Sequence, residues 1–330
     1  MARKSKENSR INKMRTLIIK SVKKAVVATA YNSGLAKLFG SIHSSKLFCV
    51  GYHSVWSDKN KKELHRELYS NISIKVEDFE EQILFMKKNN HTFINFSDLS
   101  DPNTKKLKKA TIIFFDDGFK DILVNALPIL QKHNIPATVF VTTGLIERTH
   151  FLWTLKVRHI MSRSGLKNFE VEKKILELKK MSMAERDKKI KDLEKEYALQ
   201  IQPEKLGIFL DWNEVNDLKN GGFEIGSHGV KHEKLIELSG NELLAELSES
   251  KKILEEKIGQ PVFTVSYPYG RYNIGVEKAA QSTGYFYGMT TESGWNKIDD
   301  VLNDPYKMKR IEPNSGDKLT SFAVKLYMNI

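Results

Sequence analysis

From residue 47 onward, short apolar runs alternate with segments of helical periodicity, and this alternation limits the fold more than any other feature of the chain. Leu47–Tyr52 reads as a buried strand. The spacing of Phe79, Ile83 and Leu84 predicts a helix over Val76–Lys88, with Ser73 as its cap. Thr92–Phe96 reads as a strand. Ala110–Phe115 is the strongest one, two isoleucines and two phenylalanines that stop abruptly at Asp-Asp-Gly. Residues 121–133 read as a helix kinked or broken at Pro128, and Ala137–Val141 as the next strand. Further on, Asp211-Trp-Asn-Glu214 opens a helix that Gly221-Gly222 stops. Phe223–Gly226 is a short strand. Ser239-Gly-Asn-Glu242 opens a long helix with Leu243, Leu247, Leu254 and Ile258 on one face and Gly259 at its end. Val262–Tyr267 is another strand. Repeating β-then-α units require a parallel sheet covered by helices, and about seven strands favour a (β/α) barrel over an open sheet.

Residues 147–210 break the alternation. The segment is rich in Lys and Glu, and Ser182-Met-Ala-Glu185 is a capping box that opens a helix with Ile190, Leu193 and Tyr197 on one stripe. It reads as a helical insertion into the domain. The single cysteine, Cys49, excludes an internal disulfide framework. No stretch of about 18 uninterrupted apolar residues is present, which argues against an ordinary transmembrane helix.

The net charge of +12 is concentrated at one end. Residues 1–46 hold eleven Lys/Arg and one acid, Glu7, a net +10, which leaves +2 for residues 47–330. The protein divides into a basic N-terminal arm, 1–46, and a nearly neutral body, 47–330. Leu17–Phe39 is partly apolar but interrupted by Lys20, Lys23, Lys24 and Lys37. Ile18, Val22, Ala25, Val26 and Ala30 fall at helical spacing, the pattern of a basic amphipathic helix lying in a membrane interface rather than of a secretory signal. A frayed basic tail is the plainer alternative. No aromatic or base-reading motif accompanies the charge, so nucleic acid is not expected as a partner.

In (β/α) barrels the chemistry sits at the C-terminal ends of the strands. Four groups of reactive residues fall there. Asp116 and Asp117 follow the strongest strand, and a bend at Gly118 brings both carboxylates to one site. Two like charges so close push their pKa values apart, so one binds a metal while the other takes a proton. The alternative is a polar strand end capping the next helix. His228 and His232 are the only two of nine histidines within five residues of each other. Their i, i+4 spacing puts both imidazoles on one face of a helical turn, within reach of one divalent ion. Alone, they would be two surface histidines at a loop-to-helix join; with the Asp pair, metal binding is the better reading. His, His and Asp leave positions open for water and substrate. Ser266-Tyr-Pro-Tyr-Gly270 is a stiff turn whose tyrosines line a sugar-sized groove and whose amides face an oxyanion, or else an ordinary turn. His53 ends the first strand, on the face where the others gather.

Phe115-Asp-Asp-Gly118, Ser227-His-Gly-Val-Lys-His232 and Tyr267-Pro-Tyr-Gly270 resemble the three ordered motifs of the polysaccharide deacetylases with the NodB-homology domain. The resemblance covers residues 47–146 and 208–315. Glu224-Ile-Gly-Ser-His228 and Ser266-Tyr-Pro-Tyr-Gly-Arg-Tyr272 look like the bacterial branch that handles surface polysaccharides. It implies a distorted (β/α)7 barrel, Asp116 as general base, Asp117, His228 and His232 as metal ligands, and the Tyr269 backbone amide as oxyanion donor. Three departures stand out. The family's third motif usually begins with an Arg that steadies the base, and here Ser266 takes that place. The family's late Leu-His motif has no counterpart after residue 232. Tyr52-His53 instead matches the early Tyr-His of the poly-N-acetylglucosamine deacetylases, which gives His53 the general-acid role. Arg310, in Lys309-Arg-Ile311, is the candidate for the missing Arg. Finally, Gly229 stands where Ser or Thr is usual, which removes a small hydrogen bond that shapes the loop.

The expected protein is a metal-dependent carbohydrate de-N-acetylase. One divalent ion, zinc by its ligand set, with cobalt, nickel or manganese also suited, is its cofactor. The alternatives are O-deacetylation of the same glycans, or a degenerate barrel that binds glycan or membrane without turnover. The expected partners are an N-acetylated glycan and, through residues 1–46, an anionic membrane surface. The expected location is the inner face of the membrane, on the cytoplasmic side.

Overall fold

The computed structural model describes residues 46–60, 72–198 and 206–328. The amphipathic helix expected over Leu17–Phe39, and the arm as a whole, lie outside the described residues. Among the described residues no helix is long and apolar enough to cross a membrane.

Seven strands carry the architecture: β1 (Lys46–Tyr52), β2 (Ala110–Phe115), β3 (Ala137–Val141), β4 (Phe223–Ser227), β5 (Thr264–Ser266), β6 (Tyr287–Ser293) and β7 (Met308–Arg310). Each pairs in parallel with the next. The ring closes just beyond β7. Ile311 N–H donates to the Cys49 carbonyl at 2.8 Å, and Gly51 N–H donates to the Ile311 carbonyl at 2.9 Å. The barrel is uneven, because β4 and β5 share a single register pair, Ser227 with Val265, and the β6–β7 register shifts between Met308 and Arg310.

Alternate side chains of a strand face opposite sides, and here they sort into two cores. Phe48, Val50, Ile113 and Phe115 pack outward with the helices, including Phe79 and Ile83 of Val76–Lys88. Leu47, Cys49, Ile112, Phe114, Phe140 and Met289 fill the interior. Phe114 and Phe140 meet edge-on there, with centroids 5.5 Å apart. Two glycines make room for them. A Cβ on Gly51 would lie 2.4 Å from Phe114 Cζ, and one on Gly226 would lie 2.5 Å from Phe140 Cδ1. This pair of rings is the floor on which the polar residues of the strand ends stand.

Among its described residues the insertion forms three helices, Trp153–Arg163, Asn168–Leu178 and Met183–Glu196, around a small core that includes Val157, Ile175, Leu178, Ile190 and Leu193. The Ser182–Glu185 capping box is present. Residues 208–210 rejoin the barrel, where Phe209 bridges Phe119. Several local expectations change. Ser73 does not cap Val76–Lys88; it lies in the strand Ser73–Lys75, which pairs with Ser54–Trp56 beside the barrel. Leu84 of that helix is 43% exposed and outside the core. The strand at 92 stops at Phe93, and that at 262 is confined to Thr264–Ser266. Around Pro128, a π-helical turn, Ile122–Ala126, leads into Leu127–Lys132. A proline supplies no N–H to continue the regular ladder backward, which suits this change of pitch.

Gly226→Ala should cost about 1–3 kcal/mol of stability, because an added methyl overpacks the interior. Urea denaturation of Gly226→Ala, Phe140→Leu and the double variant checks this. The double variant should lose less than the two single losses together, since the smaller side chain gives back the space.

Candidate active site and metal centre

β2 ends in two carboxylates that the backbone separates. Asp116 continues the ladder, its N–H donating to the Tyr52 carbonyl at 2.9 Å, and its side chain takes the inward phase of Ile112 and Phe114. Asp117 and Gly118 both have left-handed φ, 73° and 79°. The bend therefore begins one residue earlier than the sequence suggested, at Asp117 itself.

Asp116 is 2% exposed, and its Oδ2 accepts from Arg310 Nη1 at 2.5 Å. Arg310 is equally buried. It also donates through Nε to the Thr290 carbonyl at 2.5 Å and through Nη2 to Ser266 Oγ at 2.8 Å, and it lies over the Phe114 ring. Burial alone would raise the Asp116 pKa; the Arg310 guanidinium, with His228 and His53 behind it, overcomes this and holds the carboxyl below its usual range. Ser266, where the resemblance placed a missing Arg, is thus the point at which a guanidinium from another strand arrives.

Asp117 faces the two histidines. Its Oδ1 lies 3.4 Å from His228 Nε2 and 3.3 Å from His232 Nε2. Burial raises its pKa, but His232 and the other imidazoles outweigh that and keep it low. His228 leaves the end of β4 with its N–H on the Val141 carbonyl. Its Nδ1 lies 2.7 Å from the Ser266 carbonyl, which fixes the proton on Nδ1 and leaves Nε2 as a lone-pair donor. Burial lowers the His228 pKa to about 4, against the pull of Asp116. The expected helical turn between the histidines is absent. Residues 228–232 form a loop in which Gly229 and His232 take φ of 77° and 57°. The Glu246 carboxylate holds it by accepting from Val230 N–H at 2.8 Å and Lys231 N–H at 2.7 Å. Ser227 Oγ accepts from Gly229 N–H at 3.2 Å. These bonds shape the loop that a Ser or Thr at 229 would otherwise help to shape.

Asp117, His228 and His232 offer three ligand atoms within 4.8 Å of one another. Asp117 Oδ1 is buried and accepts no hydrogen bond. A buried anionic oxygen without a donor is costly, and two imidazole nitrogens facing it complete a set that suits a divalent cation. The residues present fit a metal.

One cavity collects His53, Asp116, His228, His232, Tyr269 and Arg310. His53 Nδ1 lies 3.5 Å from Glu312 Oε1. Tyr269 sits at φ 60°, its ring against His232, and its hydroxyl accepts from Trp153 Nε1 at 2.7 Å. Trp153 belongs to the insertion, which lines the cavity with Leu155, Arg158 and Ile175. Asp117, against His228 and His232, lies just behind it, so the site residues expected from the sequence gather around one cavity. Glu246, Glu312 and Trp153 were not expected; each is an isolated residue in the sequence whose partner is distant, and no local pattern marks it.

Residues 103–288 match the family described as polysaccharide deacetylase. The Bacillus subtilis (strain 168) protein YxkH, whose name places it among polysaccharide deacetylases, is 22% identical over 307 residues, 92% of this chain and 84% of that protein. The poly-β-1,6-N-acetyl-D-glucosamine N-deacetylase of Staphylococcus aureus (strain MSSA476) is 25% identical over 249 residues, 75% of this chain and 66% of that protein. Among solved structures, the Streptococcus pyogenes deacetylase PplD in complex with acetate superposes with a TM-score of 0.59 at 20% identity, covering 86% of this chain and 99% of that one. That likeness carries the barrel fold.

Arg310→Met should destabilise the protein by about 3–5 kcal/mol at pH 7, because it strands a buried carboxylate. The pair lowers the folded pKa of Asp116, so its contribution is present above the ordinary value of 3.8 and is lost as pH falls through the lowered one. Urea denaturation of wild type and variant should therefore show a gap that narrows in acid.

Proposed function

This chain belongs to the polysaccharide deacetylase family, and on that premise we propose that it hydrolyses N-acetyl groups from a glycan, releasing acetate and a free amino sugar. The observation that carries the reading is the Asp116–Arg310 pair set beside Asp117, His228 and His232, with His53 in the same cavity. A divalent ion bound by Asp117, His228 and His232, zinc by the donor set, would supply Lewis-acid polarisation of the acetamide carbonyl and a more acidic water. Asp116 takes the proton of the attacking water. Its free oxygen, Oδ1, is buried and without a hydrogen-bond donor, while Arg310 holds the other. The Tyr269 backbone N–H donates to the developing oxyanion. His53 hands a proton to the departing nitrogen, because an amine leaves poorly as an anion. Glu312 Oε1, 3.5 Å from its Nδ1, meets the imidazole on the side away from Nε2.

The substrate is proposed to be a surface polysaccharide or its lipid-linked precursor, met at the inner face of the membrane. The support is the charge of residues 1–46, a net +10 that a nearly neutral body does not need for folding. Each Lys or Arg close to an anionic leaflet contributes about 1 kcal/mol.

Asp116→Asn should keep its metal and lose roughly 10²–10⁴-fold in turnover, while His232→Ala should lose metal and activity together. Elemental analysis, released acetate and new primary amine are the readouts. Acetate without amine would point to O-deacetylation, and full turnover in the presence of a chelator would defeat the metal-dependent mechanism. Deleting residues 1–40 should abolish salt-sensitive binding to anionic vesicles and spare turnover of a small N-acetylated oligosaccharide. Equal vesicle binding with and without the arm would sink the membrane assignment.

A further inference from the structure

The β1 strand ends at Tyr52, and His53 follows it. The next three residues, Ser54–Trp56, leave the ring and pair instead with Ser73–Lys75. The barrel ladder therefore stops at the residue before His53, and other bonds must hold the chain that follows it. Two side chains from one short segment do so. Ser54 Oγ donates to Asp121 Oδ2 at 2.5 Å, and Asn125 Nδ2 donates to the Val55 carbonyl at 2.7 Å. Asn60 Nδ2 in turn donates to Asn125 Oδ1 at 2.9 Å. Ser54, Asp121 and Asn125 are all buried.

Asp121 is a buried acid whose carboxyl meets the Ser54 hydroxyl and the Val55 and Ile122 amides. It stands at the N-cap of the π-helical turn Ile122–Ala126 but makes no side-chain cap bond. Its carboxyl is 1% exposed, and among the described residues no cation pairs with it and Oδ1 has no hydrogen-bond partner. Burial pushes its pKa up to about 7, against the Ser54 hydroxyl and the Val55 and Ile122 amides. An apolar side chain would avoid that desolvation. What Asp121 does have is position: it lies four residues beyond Asp117 and reaches the residue next to His53.

We propose that Asp121 is the positioning residue for His53, tying the backbone just beyond that imidazole to the loop that carries Asp116 and Asp117. This rests on the reading of His53 as proton donor to the leaving nitrogen. Glu312 meets the imidazole itself, and Asp121 sets the chain from which the imidazole projects. A proton donor misplaced by about 1 Å costs on the order of 10²-fold. That cost falls only on reactions whose leaving group needs a proton.

The test compares two substrates on the metal-loaded, full-length enzyme. One is an N-acetylated oligosaccharide, whose amine must be protonated to leave. The other is p-nitrophenyl acetate, whose phenolate leaves unaided. Asp121→Ala should lower kcat on the oligosaccharide by about 10- to 100-fold, with KM, bound metal and ester turnover within about 3-fold of wild type. Asp121→Asn keeps an acceptor for Ser54 and should recover most of the loss. Ser54→Ala, which removes a single hydroxyl, should show the same split at smaller amplitude and serves if Asp121→Ala does not fold. Equal losses on both substrates, or no loss on either, in the Asp121 and Ser54 variants would overturn the proposal. His53→Ala is the reference. If it shows the split and Asp121→Ala does not, Asp121 alone is refuted. If it loses both substrates equally, the role of His53 falls, and this proposal with it.

Discussion

A carboxylate sealed inside a barrel stays ionised only if a cation is sealed in with it, and the Asp116–Arg310 pair meets that condition. The pair joins the second strand of the ring to the seventh. The guanidinium uses all of its edges: one on Asp116, one on Ser266 at the end of β5, and one on the Thr290 carbonyl of β6. Four of seven strands are thus keyed to one side chain. Ser266 passes the order on, because its carbonyl sets the tautomer of His228. Asp116 and His228 are therefore oriented through the same residue, and neither can shift without the other.

The floor beneath this network is apolar. Phe114 and Phe140 plug the barrel just below the polar layer, and Gly51 and Gly226 give them room. Water is kept out from below, which strengthens each electrostatic contact above. It also explains why two glycines sit within strands, where the residue is otherwise a weak choice. Each precedes a site residue by two positions, Gly51 before His53 and Gly226 before His228, so the plug and the chemistry share a phase of the pleat.

Much of this was legible in the sequence, and the reasons are local. Apolar runs such as Ala110–Phe115 report burial directly, and Asp116, Asp117, His228 and His53 are reactive residues at the places where such runs stop. The failures are also physical. The His228–His232 spacing fits a helix, but Gly229 and His232 adopt left-handed φ and a carboxylate from a distant helix holds the loop, which no i, i+4 rule anticipates. Ser73 is a good cap by type but is drawn into a strand by Ser54–Trp56. Arg310 was reachable only through resemblance, because nothing near it in the sequence points to Asp116. Glu246, Glu312 and Trp153 lay beyond reach for the same reason: each acts on a partner that only the folded chain brings near.

The closing strand has a temporal consequence. Arg310 lies 194 residues after the carboxylate it neutralises. During synthesis at about 5–20 residues per second, roughly 10–40 s pass between the two leaving the peptidyl-transfer centre. Throughout that interval the growing polypeptide holds an acid with no guanidinium and a ring that has not closed. Closure of the ring and neutralisation of Asp116 therefore arrive together, when β7 docks.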